Sequence, residues 1–256
     1  MQYPVKKTRE ARLQLAQKIV EKLKERYEND LLAVAVFGSV ARGEDKDFSD
    51  LDMIAVVQQG QGVADDFNAI VDGLKYAVDI FSQDIVLGKM TTVHMRWPFL
   101  AGKFVTAVPL YDKQGIFASY KGIFQKFIQN DFAPYVRQVF VEEIFEECNK
   151  FINTTDTGDR GRVHYNAYHL FTKLAIFLGI VNKTYFTSAV ALPEQALKLP
   201  INFPSFQLLG SFVTGDASYD TQQLRNIVVE LLCEIISYLR SSNIEFEVEE
   251  IIFKSM

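Results

Sequence analysis

The run Phe37-Gly38-Ser39-Val40-Ala41-Arg42-Gly43, followed by Ser49-Asp50-Leu51-Asp52, carries the residue types that hold a triphosphate and its metal ions. Gly38 lets backbone approach a ligand closely. The Ser39 hydroxyl and the amides after Gly38 can grip phosphate oxygens, helped by a positive helix N-terminus. Arg42 offers phosphate a planar donor fork. Ser49 opens the second half and can serve either phosphate or a turn. Asp50 and Asp52 are two apart at the head of an apolar run, so on a strand both carboxylates share one face. Divalent cations between two such carboxylates and a triphosphate would complete the chemistry.

Each half has an ordinary reading of its own. A Gly-Ser step is a turn, and Asp-x-Asp is a solvated strand end. It is the pairing of the two at this spacing that is specific.

The elements needed to position these groups are legible around them. Leu31 to Phe37 is continuously apolar and reads as a buried strand. Met53 to Val57 continues the strand that Asp50 and Asp52 begin. A further strand, Lys75 to Phe81, carries Asp79 among Val78, Ile80 and Phe81. An acid inside an apolar strand is costly unless it is paired or bound to metal.

Gly-Ser, then acid-x-acid, then a third acid on a later strand resembles the signature of the DNA polymerase β-like nucleotidyltransferases. The likeness narrows to the kanamycin (aminoglycoside 4′-O-) nucleotidyltransferases. Thr8-Arg9-Glu10-Ala11-Arg12, Arg26-Tyr27-Glu28, Trp97-Pro98, Pro109-Leu110-Tyr111-Asp112 and Val141-Glu142-Glu143-Ile144-Phe145-Glu146 with Lys150 follow in that order, and Tyr185-Phe186-Thr187-Ser188 matches more loosely.

The resemblance implies an α/β (α+β) nucleotidyltransferase domain with a mixed sheet, followed by an α-helical bundle. It implies Mg²⁺, two ions, on Asp50, Asp52 and Asp79, with ATP as co-substrate. Gly38, Ser39, Arg42, Ser49, Lys150 and Thr187 would hold nucleotide. Glu146 would be the general base, with Lys150 stabilising phosphate charge, and Glu142, Glu143 and Glu146 would face a cationic aminoglycoside. It further implies a homodimer. One departure touches the acceptor side: Arg96 stands before Trp-Pro where the family pattern has an acid. Transfer to another small-molecule hydroxyl, such as a lincosamide, or to a protein hydroxyl stays open, as does a non-catalytic nucleotide-binding module.

Composition agrees with a compact cytoplasmic enzyme. The chain has 256 residues, 48% of them hydrophobic, and a formal net charge of −5. That balance argues against general nucleic-acid affinity, which needs a basic surface, and suits a cationic small substrate. No apolar run reaches the length of a membrane span, and Met1 to Arg12 lacks the core of a signal peptide. Cys148 and Cys233 read as reduced thiols without metal-ligand spacing.

The periodicities predict a helix over 8–28 and strands near 31–37, 51–57, 76–82 and 103–109. Long amphipathic helices follow, near 116–129, 133–153, 164–182, 189–198, 205–213 and 220–241. The change of pattern divides the chain into 1–115, an α/β nucleotidyltransferase domain, and 116–256, a helical domain for substrate binding and dimerisation.

At 100° per residue, Glu142, Glu146 and Lys150 lie within about 80° of one another on the 133–153 helix. Glu143 and Glu147 extend that stripe, and Phe140, Ile144, Phe145, Cys148, Phe151 and Ile152 occupy the opposite arc. Read without the resemblance, this is a solvated face with one weak i, i+4 ion pair. His94, His164 and His169 lack metal spacing. Tyr165, Tyr168, Phe171 and Phe177 read as core. Trp97-Pro98 reads as a packed loop closure, and Gly60-Gln61-Gly62 as a loop lacking the third glycine of a dinucleotide fingerprint.

Overall fold

The computed structural model describes residues 4–58 and 64–247. The segment Gly60-Gln61-Gly62 lies outside the described residues. The described residues form two compact units, one within 4–92 and 99–130, the other of residues 93–98 and 131–247.

The first unit is built on five strands: β1 Leu31–Phe37, β2 Leu51–Val57, β3 Ala64–Val71, β4 Leu74–Ser82 and β5 Val108–Asp112, in the order β3-β4-β2-β1-β5. β2 and β4 run parallel, and every other pairing is antiparallel. The expected mixed sheet is therefore present. Helix α1, Arg9–Tyr27, begins on the Thr8 side chain, which accepts from the Ala11 amide. It covers one sheet face: Ala16, Val20 and Leu23 pack with Val34, Val36, Met53, Ala55, Val78 and Ile80. A single helical turn, α2 Gly38–Arg42, follows β1. On the opposite face lie aromatic contacts from β4 to α4, Trp97–Val105, and on to α5, Ile116–Phe127. Phe81 meets Phe104 at 6.1 Å, and Phe104 meets Tyr120 at 6.2 Å. Helix α3, Gln83–Thr91, follows β4.

Three expectations change here. The strand near 103–109 is the end of α4 followed by β5 at 108–112. Trp97, Pro98, Ala101, Gly102, Phe104 and Val105 are the buried positions of this helix, a helical and not an alternating spacing. Trp97-Pro98 accordingly opens a helix and closes no loop, with Trp97 fully buried 5.3 Å from Phe132. The strand β3 went unpredicted because it is an edge strand of polar composition, Asp65-Asp66-Phe67-Asn68. Its signal is the turn: Asp72 (φ 49°) and Gly73 (φ 79°) make the Asp-Gly hairpin that joins β3 to β4. Helix α5 belongs to the compact unit that holds the sheet, which runs to residue 130.

In the second unit, α6 Ala133–Val139 runs into a π-helical turn, Phe140–Ile144, and then α7 Phe145–Thr155. The uniform helix expected over 133–153 is thus interrupted, with the Phe145 amide bonded to the Phe140 carbonyl. The wider turn shifts the angular phase. Phe145, placed on the apolar arc by 100° steps, is 44% exposed. Glu147, placed on the solvated stripe, has a side chain only 12% exposed. Helix α8, Arg160–Val181, starts on the Asp159 side chain and supplies much of this unit's core, including Phe171, Leu174 and Phe177. Phe171 stacks on Phe206 of α10, Pro204–Thr214, at 4.9 Å. Tyr165 and Tyr168, expected in the core, are exposed. The unit closes with α9 Leu192–Leu197 and α11 Thr221–Ser241, the latter started by an Asp220–Gln223 capping box.

The loop between α2 and β2 is organised by one side chain. Arg12 on α1 is 1% exposed. Its Nε donates to the Ser49 carbonyl, Nη1 to the Lys7 carbonyl and Asp45 Oδ2, and Nη2 to the Lys46 and Asp47 carbonyls. All five guanidinium donors are used. Arg12→Met removes the cation beside Asp45, whose side chain is 2% exposed, and strands four carbonyls. Loss of one partner from such a buried set costs about 3–5 kcal/mol, which a urea midpoint will show. Arg12→Lys should recover less than half of that, because an ammonium cannot reach five acceptors in this fork.

Candidate active site

The acids stand on the open end of the sheet face opposite α1. Phe37 pairs with Asp52 across β1 and β2, and Ile54 pairs with Asp79 across β2 and β4. Paired residues share a face, as do residues two apart along a strand, so Asp52 and Asp79 project to the same side; Asp50 stands just before β2, near enough for its charge to act on Asp52.

Gly38 leaves β1 at φ 70°, and a Cβ there would lie 3.0 Å from Asp52 Oδ2. Both the left-handed backbone and the carboxylate against it demand glycine. Ser39 follows in α2 and its carbonyl accepts from the Glu44 amide. Arg42 Nε donates to Glu44 Oε2 at 2.7 Å. Ser49 does turn chemistry: its Oγ accepts from the Lys46 amide at 2.9 Å, its amide donates to the Lys46 carbonyl, and its carbonyl is held by Arg12.

Asp50 makes a long contact to Lys75 Nζ, 3.4 Å, at the surface. Burial, and then the charge of Asp50, push the Asp52 carboxyl up to about 6, with a smaller upward push from Asp79; Lys103 and Lys75 pull it down. Asp79 differs from its expected role. It is bonded to the ammonium of Lys103 on α4, with each side chain 21% exposed. Among the described residues no three His, Cys, Asp or Glu side chains converge closely enough to hold a metal ion. Asp50, Asp52 and Asp79 are thus not drawn together as a triad among the described residues, and the third of them is bonded to a lysine. Asp50 and Asp52 still suit a hard divalent cation: both present carboxylate oxygens, and Asp52 carries a charge that its surroundings disfavour.

In the helical unit, Glu146 accepts from Lys150 at 2.8 Å, and both are exposed. Lys150 also reaches Glu147 at 3.2 Å. Glu142 accepts from Gln138. Glu143 is tied to Lys173 of α8 at 2.8 Å, and Glu147 to the same lysine at 3.0 Å and to His169 Nδ1 at 3.2 Å. Burial pushes the Glu147 carboxyl up, but the bonds from Lys173 and Lys150 outweigh it, and the group is held below the ordinary glutamate range. Glu143 is thus committed within this network. Thr187 is bonded twice to Gln195: its amide donates to Oε1 at 3.0 Å, and its Oγ1 accepts from Nε2 at 2.8 Å.

Sequence reasoning missed Arg12, Lys103, Glu147 and Lys173. Arg12 lay within a quoted motif, but nothing in the sequence showed that it is buried. Lys103 was hidden by the mistaken strand assignment.

Asp52 leads to a pH prediction. Its carboxyl titrates at about 6 when folded, against an ordinary value of 3.8, so ionising it costs native stability as pH rises through that window. Asp52→Asn should raise the unfolding free energy by about 1–3 kcal/mol at pH 8 and by far less at pH 4. An equal gain at both pH values in urea titrations contradicts a buried, strained carboxylate.

Comparison with known proteins converges on this geometry. A nucleotidyltransferase-domain family model matches residues 16–155, and a KNTase C-terminal domain model matches residues 114–245. Aminoglycoside nucleotidyltransferases (4′) from Staphylococcus aureus and a Bacillus species are each 24% identical over 225 residues, covering 88% of both chains. A nucleotidyltransferase-like protein from Exiguobacterium sibiricum has a similar fold, with TM-score 0.52 and 10% identity over 89% of this chain and 75% of its own. With the Gly-Ser turn set against a strand-borne acid pair, and both family models each matching more than half of the chain, this protein belongs to the kanamycin nucleotidyltransferase family and is a transferase.

Proposed function

We propose that this enzyme transfers AMP from Mg-ATP to a hydroxyl of an aminoglycoside and releases pyrophosphate, the chemistry of a resistance enzyme. The observation that carries the reading is the approach of Gly38 to Asp52 beside Asp50, which leaves backbone and two carboxylates at one strand end. The names of the 24%-identical relatives support the acceptor class.

In this reading Asp50 and Asp52 hold the metal, with Asp79 reaching it only by leaving Lys103. Bound Mg²⁺ supplies charge neutralisation on the triphosphate. Ser39 and Arg42 grip phosphate, and Arg42 exchanges Glu44 for it. Ser49 keeps the acid-bearing strand end in place through its turn. Lys150 and Thr187 contribute to nucleotide binding from the helical unit.

Glu146 accepts the proton of the attacking hydroxyl, and its bond to Lys150 orients the carboxylate until the acceptor arrives. Glu142 and Glu146 offer negative charge to acceptor amines, with Glu143 acting through the Lys173 network. Little covalent work falls to the protein, because alignment and charge stabilisation supply the rate. The enzyme works as a cytoplasmic homodimer.

Pyrophosphate release from Mg-ATP across a panel of aminoglycosides tests the reading. Release that depends on an aminoglycoside is expected, and release only with a lincosamide or a protein acceptor would reassign the substrate. Asp50→Asn should abolish it in a folded protein. Glu146→Gln should lower kcat by about 10²–10⁴ with nucleotide affinity little changed; a kcat within a few fold of the parent places the base elsewhere. Mixing Asp50→Asn with Glu146→Gln protein restores activity if one active site draws on two chains, and leaves it absent if both residues serve from the same chain.

A further inference from the structure

Lys103 is unassigned by any motif, yet it stands among the acids that matter most. It lies on α4, in the same unit as the sheet. Its ammonium bonds Asp79 Oδ2 and lies 4.4 Å from the centroid of the Phe37 ring. Phe37 is the residue before Gly38, and it pairs with Asp52 across β1 and β2. One cation is therefore fixed between the third acid and the strand end that presents the Gly-Ser turn. Two forces hold it there: a carboxylate partner largely withdrawn from water, and the negative face of an aromatic ring.

We propose that Lys103 takes the place of a second metal ion, so that the site binds one divalent cation on Asp50 and Asp52 while Asp79 serves as the anchor of the lysine. Three carboxylates on one face need positive charge, and here part of it is covalently supplied. A lysine on Asp79 neutralises that acid, which leaves two carboxylates for a single ion. The ammonium, close to the start of the phosphate-binding turn, is a positioning charge for the triphosphate. The inference rests on the nucleotidyl-transfer reading above.

The test counts ions. Mn²⁺ binding with α,β-methylene-ATP is followed by electron paramagnetic resonance on the full-length parent and on Lys103→Gln and Lys103→Met. Methionine keeps an unbranched chain against the Phe37 ring, so at least one variant without the cation should stay folded, as thermal unfolding will show. The expected result is one Mn²⁺ per chain in the parent and two in either folded variant, with Lys103→Arg retaining one. Two ions in the parent overturn the inference whatever the variants do, and so does a folded variant that still binds one. Failure of every protein to bind Mn²⁺ with the nucleotide analogue would instead sink the nucleotidyl-transfer reading itself.

Discussion

The guanidinium of Arg12 is the constraint on which the functional end of the sheet depends. Its five donors gather carbonyls from Lys7, Lys46, Asp47 and Ser49 with the Asp45 carboxylate. Arg9 reinforces the same carboxylate at 2.6 Å. The stretch between α2 and β2, without regular structure of its own, is thereby given a fixed shape. Loop backbone away from water must find partners or pay a desolvation cost. Here one planar side chain, rooted on a helix packed against the opposite sheet face, supplies most of them. The distance between Gly38 and Asp52 follows from this arrangement, since β1 and β2 pair directly and the loop between them cannot drift.

The strand end so held is costly to the fold. Asp52 is half-buried beside Asp50, which raises its pKa, and Gly38 adopts a backbone conformation that side chains avoid. Lys103 offsets part of the charge through Asp79. On the nucleotidyl-transfer reading proposed above, these features make poor sense as stabilising devices and good sense as a preorganised site, whose carboxylate repulsion a bound cation would relieve. The helical unit shows a similar division of labour. Glu147 and Lys173 are the inner members of a network that leaves Glu146 and Lys150 at the surface. A π-helical turn sets that division by rotating Glu147 inward.

Much of this was legible in the residues alone. The Gly-Ser turn, the acid pair, the flanking strands and the succession of amphipathic helices follow from local rules: glycine for close approach, alternation for a shared face, a 3.6 period for helices. These depend on neighbours in the chain, so the chain shows them. The family likeness rested on the same local runs.

What only the tertiary structure decided depends on groups distant in sequence. The polar edge strand β3 exists because β4 pairs with it, not because its own residues favour a sheet. Residues 97–105 form a helix because the aromatic layer over the sheet accepts Phe104 there. The π turn shifted a helical face that equal angular steps had drawn correctly only in part. Asp50, Asp52 and Asp79 could be named as one set from the sequence. That Asp79 belongs to a lysine 24 residues away, and that Arg12 commands a loop more than 30 residues away, could not. Charge pairing in a folded chain is set by distance in space, which the order of residues does not contain.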